Sequence, residues 1–237
     1  QENLAKGLGM VSRAVENRPT LPVLGNVLLA TEDARLKLAA MDMGLGMSIT
    51  CWIGAKVDQE GEITLPARTL AELVNNLSQD RVDMTLDRGT LTMNVRCGAT
   101  VSNIRGIDAG EFPMIPQSEE ADIIMPGRVL KEMINQTVFA AAKEDNRPIL
   151  TGVLMTAEAD GLRLVATDSY RLAVCDLPGE SLLGEGQHVL VPSRALNELA
   201  KVLTGVEDER IRQRGHDRLS VFGIAGAEEA GLLQPLA

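Results

Sequence analysis

Aromatic residues are nearly missing from this chain, which has three Phe, one Trp and one Tyr in 237 residues. Its cores must therefore be filled by Leu, Val, Ile, Met and Ala. Cysteine is scarce too. Cys51, Cys97 and Cys175 share no metal-ligand spacing, so they are expected as buried free thiols of a reducing compartment, and a disulfide framework is not. The two histidines, His188 and His216, stand alone, without the Ser or Cys partner of a nucleophilic site or the spacing of a metal site. No apolar run approaches the roughly 20 residues of a membrane span, and the start shows no signal-peptide pattern. The expectation is a cytoplasmic protein with no membrane partner. Positive charge is short as well: 23 Lys and Arg face 33 Asp and Glu, for a net charge of −10. That balance argues against a generally basic nucleic-acid binder but leaves room for a localised basic surface.

What the chain does have is a repeat. Residues 4–77 reappear at 130–203 with a constant offset of 126 and no gap. Seventeen identities share this register, among them Leu4/Leu130, Leu24/Leu150, Val27/Val153, Asp42/Asp168, Pro66/Pro192, Arg68/Arg194 and Glu72/Glu198. A period of this length is domain-sized, far beyond the roughly 20–50 residues of solenoid repeats. Two domains are expected, 1–119 and 120–237, each long enough to bury its own core.

Each copy opens with an amphipathic helical pattern: Leu4, Leu8, Val11 and Ala14 in the first, Leu130, Met133, Ile134, Thr137 and Val138 in the second. Strands are expected at Val23–Ala30 and Ile149–Thr156, at Arg35–Leu38 and Arg163–Ala166, and at Met47–Ile53 and Arg171–Cys175. A second helix follows Pro66 and Pro192, proline being tolerated at a helix start where its missing N–H is not needed. Leu70, Leu73, Val74 and Leu77 form its buried stripe. Alternating strands around Val82–Leu86 and Leu91–Val95 flank a turn at Asp87-Arg88-Gly89, and Val101–Ile104 closes the copy. The class is α+β, tandem duplicated domains each with two helices packed on antiparallel sheets. A polar stretch at Gln117–Glu120 marks the domain boundary. The second copy carries a strand at Asp122–Met125 before its first helix, and the first copy closes with Gly110-Glu111-Phe112-Pro113. The lack of counterparts to these features suggests a sequence cut at both ends.

The runs Arg18-Pro19-Thr20-Leu21-Pro22-Val23-Leu24-Gly25-Asn26, Ala166-Thr167-Asp168-Ser169-Tyr170-Arg171-Leu172-Ala173-Val174 and Val191-Pro192-Ser193-Arg194 closely resemble the bacterial DNA polymerase III beta subunit family, the replicative sliding clamps. The resemblance covers nearly the whole chain and fades after about Gly223. It implies the DNA clamp fold and the first two of three domains, the third being absent. It also implies a ring that self-associates head to tail around duplex DNA, with helices inside and sheets outside. The function implied is that of a non-catalytic processivity factor needing no cofactor or metal. Its partners would be DNA, the replicative polymerase catalytic subunit and the clamp loader. The residues agree in one independent respect. The helical segments near 2–16, 66–78, 126–143 and 193–203 carry Lys6, Arg13, Arg68, Arg128, Lys131, Lys143, Arg194 and Lys201, so the acidic excess lies on strands and loops. Such a lining attracts phosphates without reading sequence.

By the same resemblance, Arg147, Leu150, Thr167, Ser169, Tyr170, Arg171 and Leu172 fall on the family's partner-peptide pocket. Leu150 and Leu172 would form an apolar floor and Thr167, Arg147 and Arg171 a polar rim; the alternative is that the two leucines are simply core. Arg18, Arg147 and Arg194 fall at DNA-facing places. The chain departs from the family after Arg147, where Pro148 and Ile149 replace aromatics. It departs again at Ser102, which replaces an aromatic of the ring interface and leaves Ile104 as the apolar contact. Two other readings stay open: a complete two-domain protein closing as a trimeric ring, and a nucleotide-processing enzyme using Asp42 or Asp168. Against the second, the two aspartates occupy equivalent repeat positions, one per domain, which suits a turn role. Gly44-Leu45-Gly46 also lacks the strand–loop–helix setting of a phosphate cradle.

Overall fold

A computed structural model of the chain describes residues 1–32, 34–115, 126–144, 147–158, 161–179, 186–204 and 219–222. The expected boundary at Gln117–Glu120, the strand at Asp122–Met125, His216 and the stretch from Ala225 lie outside these residues. The chain divides into two compact units. The first comprises Gln1–Pro116 with Gly215–Phe222; the second comprises Gln117–Arg214 with Gly223–Ala237.

The first unit begins with helix α1 (Glu2–Val11), continued by a 3-10 turn at Ser12–Ala14. Strands β1 (Asn26–Glu32), β2 (Arg35–Asp42), β3 (Met47–Gly54) and β4 (Glu62–Pro66) follow, then α2 (Ala67–Asn76). Strands β5 (Asp83–Asp87), β6 (Thr92–Cys97) and β7 (Thr100–Arg105) form an antiparallel sheet of their own. The second unit repeats the plan with α3 (Gly127–Thr137), β8 (Gly152–Glu158), β9 (Gly161–Thr167), β10 (Leu172–Pro178), β11 (His188–Pro192) and α4 (Ser193–Thr204). Its sheet runs β10-β9-β8-β11, the order of β3-β2-β1-β4 in the first unit. A last strand, β12 (Leu219–Phe222), pairs antiparallel with β3. By the offset of 126 it answers to β6, yet it extends the first unit's larger sheet.

The helices form as their periodicity requires. Leu4, Gly7, Leu8 and Val11 of α1 are buried along one stripe, and α1 packs on α2 and β3. Gly7 is a poor helix former, but a Cβ there would come 2.7 Å from Leu38 Cδ1 and 3.4 Å from Cys51 Sγ. The counterpart in α3 is Met133, itself buried. On α2, Ala67, Leu70 and Val74 are buried and Leu77 just after it also packs inward, whereas Leu73 is only half-buried.

Two sets of boundaries differ from the expectation, with one cause. Pro22 and Pro148 each start a 3-10 turn (Pro22–Gly25 and Pro148–Thr151), so the strands begin later, at Asn26 and Gly152. Proline fixes φ and offers no N–H to a ladder. Ile104 is buried inside the first unit, paired across the sheet with Met93, and is not the exposed edge contact expected of it; Val101 is the exposed apolar residue of β7. Of the cysteines, Cys51 and Cys97 are buried, but Cys175 is only half-buried.

Candidate functional site

The turn between β9 and β10 is organised by one carboxylate. Asp168 Oδ1 accepts the backbone N–H of Tyr170 and of Arg171, both at 3.0 Å, and Oδ2 accepts Arg171 Nε at 2.9 Å. Thr167 Oγ1 donates to the Arg171 carbonyl at 2.7 Å and accepts the Ser169 N–H at 3.2 Å. Ser169 takes a left-handed φ of 76°, uncommon for a residue with a Cβ. These bonds hold the Asp168 carboxyl below the usual carboxylate range, with the Tyr170 N–H contributing most and the amide and guanidinium of Arg171 adding to it. Asp42, its counterpart, accepts the Leu45 N–H at 2.9 Å. Both aspartates therefore serve turns, as their repeat positions suggested.

The consequence of the tight turn is what it holds outward. Tyr170 is 97% exposed and Leu172 65% exposed. The reading of Leu172 as plain core does not hold. Arg147 Nη1 donates to Ser169 Oγ at 3.0 Å, which brings the 3-10 turn at Pro148–Thr151 against the β9–β10 turn. Leu150 lies in that 3-10 turn, half-buried, its N–H on the Arg147 carbonyl and its carbonyl taking the Ala142 N–H at 2.8 Å. Ile149 beside it is exposed. The structure thus gathers Arg147, Leu150, Thr167, Ser169, Tyr170, Arg171 and Leu172 around two linked turns. The Arg171 guanidinium is engaged by Asp168 rather than standing as a free rim group.

The same unit's sheet carries an apolar row on one face. The registers Val174↔Val165, Val165↔Leu154 and Leu154↔Leu190 align four side chains across four strands. Leu154, Val174 and Leu190 are exposed. Sequence reading missed this row because alternation alone does not say which face is covered.

The three arginines expected at DNA are all exposed. Arg18 lies between the 3-10 turns at Ser12–Ala14 and Pro22–Gly25, Arg147 caps the turn at Pro148–Thr151, and Arg194 sits in the first turn of α4. Several helix cations are already paired: Lys6 with Glu2 at 2.8 Å, Arg68 with Glu72 at 2.8 Å and Lys201 with Glu198. Among the described residues Arg128, Lys131 and Arg194 have no such partner. His188 is exposed on β11, and among the described residues no three His, Cys, Asp or Glu side chains cluster as metal ligands. No helix among them is long and apolar enough to cross a membrane.

Residues 1–116 match the DNA polymerase III beta subunit N-terminal domain, and residues 124–221 match its central domain. The beta sliding clamp of Synechococcus elongatus is 39% identical over 208 residues, covering 86% of this chain and 54% of that protein. The beta sliding clamp of Escherichia coli K12 is 32% identical over 221 residues, covering 92% and 59%. The crystal structure of the Bacillus subtilis DNA polymerase sliding clamp superimposes with a TM-score of 0.80 at 32% identity, covering 88% of this chain and 56% of that one. The α+β clamp fold is therefore shared. The chain belongs to the DNA polymerase III beta subunit family, the bacterial sliding clamps, and holds the N-terminal and central domains of that family. It spans a little over half the length of these curated relatives.

Proposed function

We propose that this chain acts as part of a DNA sliding clamp, a cytoplasmic, non-catalytic processivity factor that encircles duplex DNA and tethers the replicative polymerase. Its two clamp domains divide at residues 119 and 120 and contribute to a self-associating ring. Arg18, Arg147 and Arg194 meet phosphates, contacts that hold DNA without reading its sequence and weaken with salt. Leu150, Thr167, Ser169, Tyr170, Arg171 and Leu172, with Arg147, receive short peptides from the polymerase catalytic subunit and the clamp loader. Exposed apolar side chains beside polar rim groups suit such docking.

The observation that carries the reading is the Asp168-capped turn presenting Leu172 to solvent beside Leu150 and the Arg147–Ser169 bond. NMR titration of the full chain with a short peptide ending in Leu-Phe tests it. Shifts are expected in the Thr167–Leu172 run and at Leu150, with most of the affinity lost when the peptide's apolar anchors are removed. Leu172→Ala should abolish binding while leaving the fold intact, because that side chain is exposed. Shifts confined to the first unit, or none in Thr167–Leu172, would overturn the assignment.

A further inference from the structure

We propose that Lys201 is a positioning residue: by engaging Glu198 on α4 it leaves Arg194 unpaired and ready for a DNA phosphate. The proposal rests on the clamp reading above.

The repeat supplies the comparison. Arg and Glu stand at equivalent positions on the second helix of each unit, Arg68 and Glu72 on α2, Arg194 and Glu198 on α4. Residues four apart on a helix are neighbours and can pair. On α2 they do so, with Arg68 Nε 2.8 Å from Glu72 Oε1. On α4 the same two residues do not pair; Glu198 Oε1 bonds Lys201 Nζ instead.

The two helices differ in charge at one position. Position 201 answers to Asn75, which carries no charge, and the neighbouring Asn76 bonds the Glu72 carbonyl rather than its carboxylate. With no lysine in reach, Glu72 is left to Arg68. The order of the partners also matters: an acid placed before a base along a helix is favoured over the reverse, because each then complements its end of the helix dipole. Glu198 followed by Lys201 has the favoured order, and Arg194 followed by Glu198 has the unfavoured one. The Glu198 carboxylate is also better shielded, its side chain 24% exposed against 63% for Glu72. Lys201 therefore wins the carboxylate. A phosphate approaching Arg68 must displace Glu72; one approaching Arg194 displaces nothing among the described residues.

Two measurements on the full chain test this. Without DNA, arginine side-chain NMR should show the Arg194 Nε–H exchanging with water faster than that of Arg68, and Lys201→Ala should slow it. Equal protection of the two in the parent chain overturns the proposal. With a short blunt duplex at low salt, Lys201→Ala should weaken binding roughly two- to fivefold, the scale of an exposed ion pair. Lys201→Arg should preserve affinity. The double variant Glu198→Gln, Lys201→Ala keeps the parent net charge and should restore it. Asn75→Lys should strengthen binding by a similar factor by freeing Arg68. A double variant as weak as Lys201→Ala means that Lys201 touches phosphate itself, and overturns the positioning role. Arg194→Ala tests the interface reading separately: unchanged affinity there removes Arg194 from DNA even if the NMR difference stands. Failure of the parent chain to bind duplex at all overturns both.

Discussion

In the first unit Asn26 Nδ2 donates to Thr64 Oγ1 at 3.0 Å, and Thr64 Oγ1 donates in turn to the Ile107 carbonyl, also at 3.0 Å, in a buried chain joining β1, β4 and the segment after β7. In the second unit the same two positions are Gly152 and Leu190, and the Leu190 side chain fills the space a Cβ on residue 152 would need. One site is closed by hydrogen bonds and the other by a leucine laid over a glycine. The difference runs along the whole sheet face. Ala39, Ser48 and Thr64 are buried in the first unit, while Leu154, Val174 and Leu190 of the second are exposed. In the first unit Leu28, Ile107 and Ile115 pack against the buried cluster of Val23, Leu24, Met41 and Phe112. The two copies keep one framework and differ in how its outer face is finished. Leu24 is fully buried in that cluster, whereas its repeat partner Leu150 is half-buried beside the β9–β10 turn.

The largest expected effect follows from this pair. Leu24→Ala should destabilise the first unit by about 2–5 kcal/mol, since both transfer energy and cavity energy are lost. Leu150→Ala should lower the stability of the second by only about 1 kcal/mol or less, because less apolar area leaves water. Native-state amide exchange reads each unit separately. Equal losses would mean that Leu150 is core after all.

A middle-sized effect is expected at Thr64. Thr64→Val removes both ends of the buried hydrogen-bond chain and leaves Asn26 Nδ2 and the Ile107 carbonyl without that partner, for about 1–3 kcal/mol. Replacing Asn26 by Gly and Thr64 by Leu together, as the second unit has them, should recover part of that loss. A double variant weaker than the sum of its singles would show that the two finishes are not interchangeable.

The smallest effect concerns pH. The Asp168 carboxyl is lowered in the folded state, so its contribution is present above the ordinary carboxylate pKa of about 3.9 and fades as the pH falls through the lowered folded value. The amide resonances of Tyr170 and Arg171 should titrate together with a midpoint below about 3.9. A midpoint at or above it would mean that the turn does not rely on the carboxylate.

Much of this organisation was legible in the sequence, because an ungapped repeat fixes which residues answer to which. Leu4, Leu8 and Leu70 marked the helix stripes, and Asp42 and Asp168 marked the turns. What sequence could not give was environment. Leu24 and Leu150 are the same residue in the same register, yet their burial differs because of what packs over them from elsewhere in the chain. Ile104 was expected as the apolar contact of the edge strand because the family resemblance places the ring interface there, but it pairs across the sheet with Met93 and is buried. The left-handed Ser169 carries no compositional signal, since glycine is the usual marker of such a backbone. The Arg194 case is subtler still: the pair is written in the sequence, and only the competing lysine three residues after the acid shows that it stays open.

The scarcity of aromatics has an optical consequence. The sole Trp, Trp52, lies on β3 of the first unit with its Nε1 donating to Glu32 Oε2 at 2.9 Å and the Lys37 ammonium 5.7 Å from its ring centroid. The sole Tyr, Tyr170, stands fully in solvent on the β9–β10 turn of the second. Each unit thus carries its own intrinsic chromophore, and neither spectrum is crowded by a second residue of its kind. Indole emission reports on the β2–β3 sheet, and the phenol reports on the Asp168-capped turn.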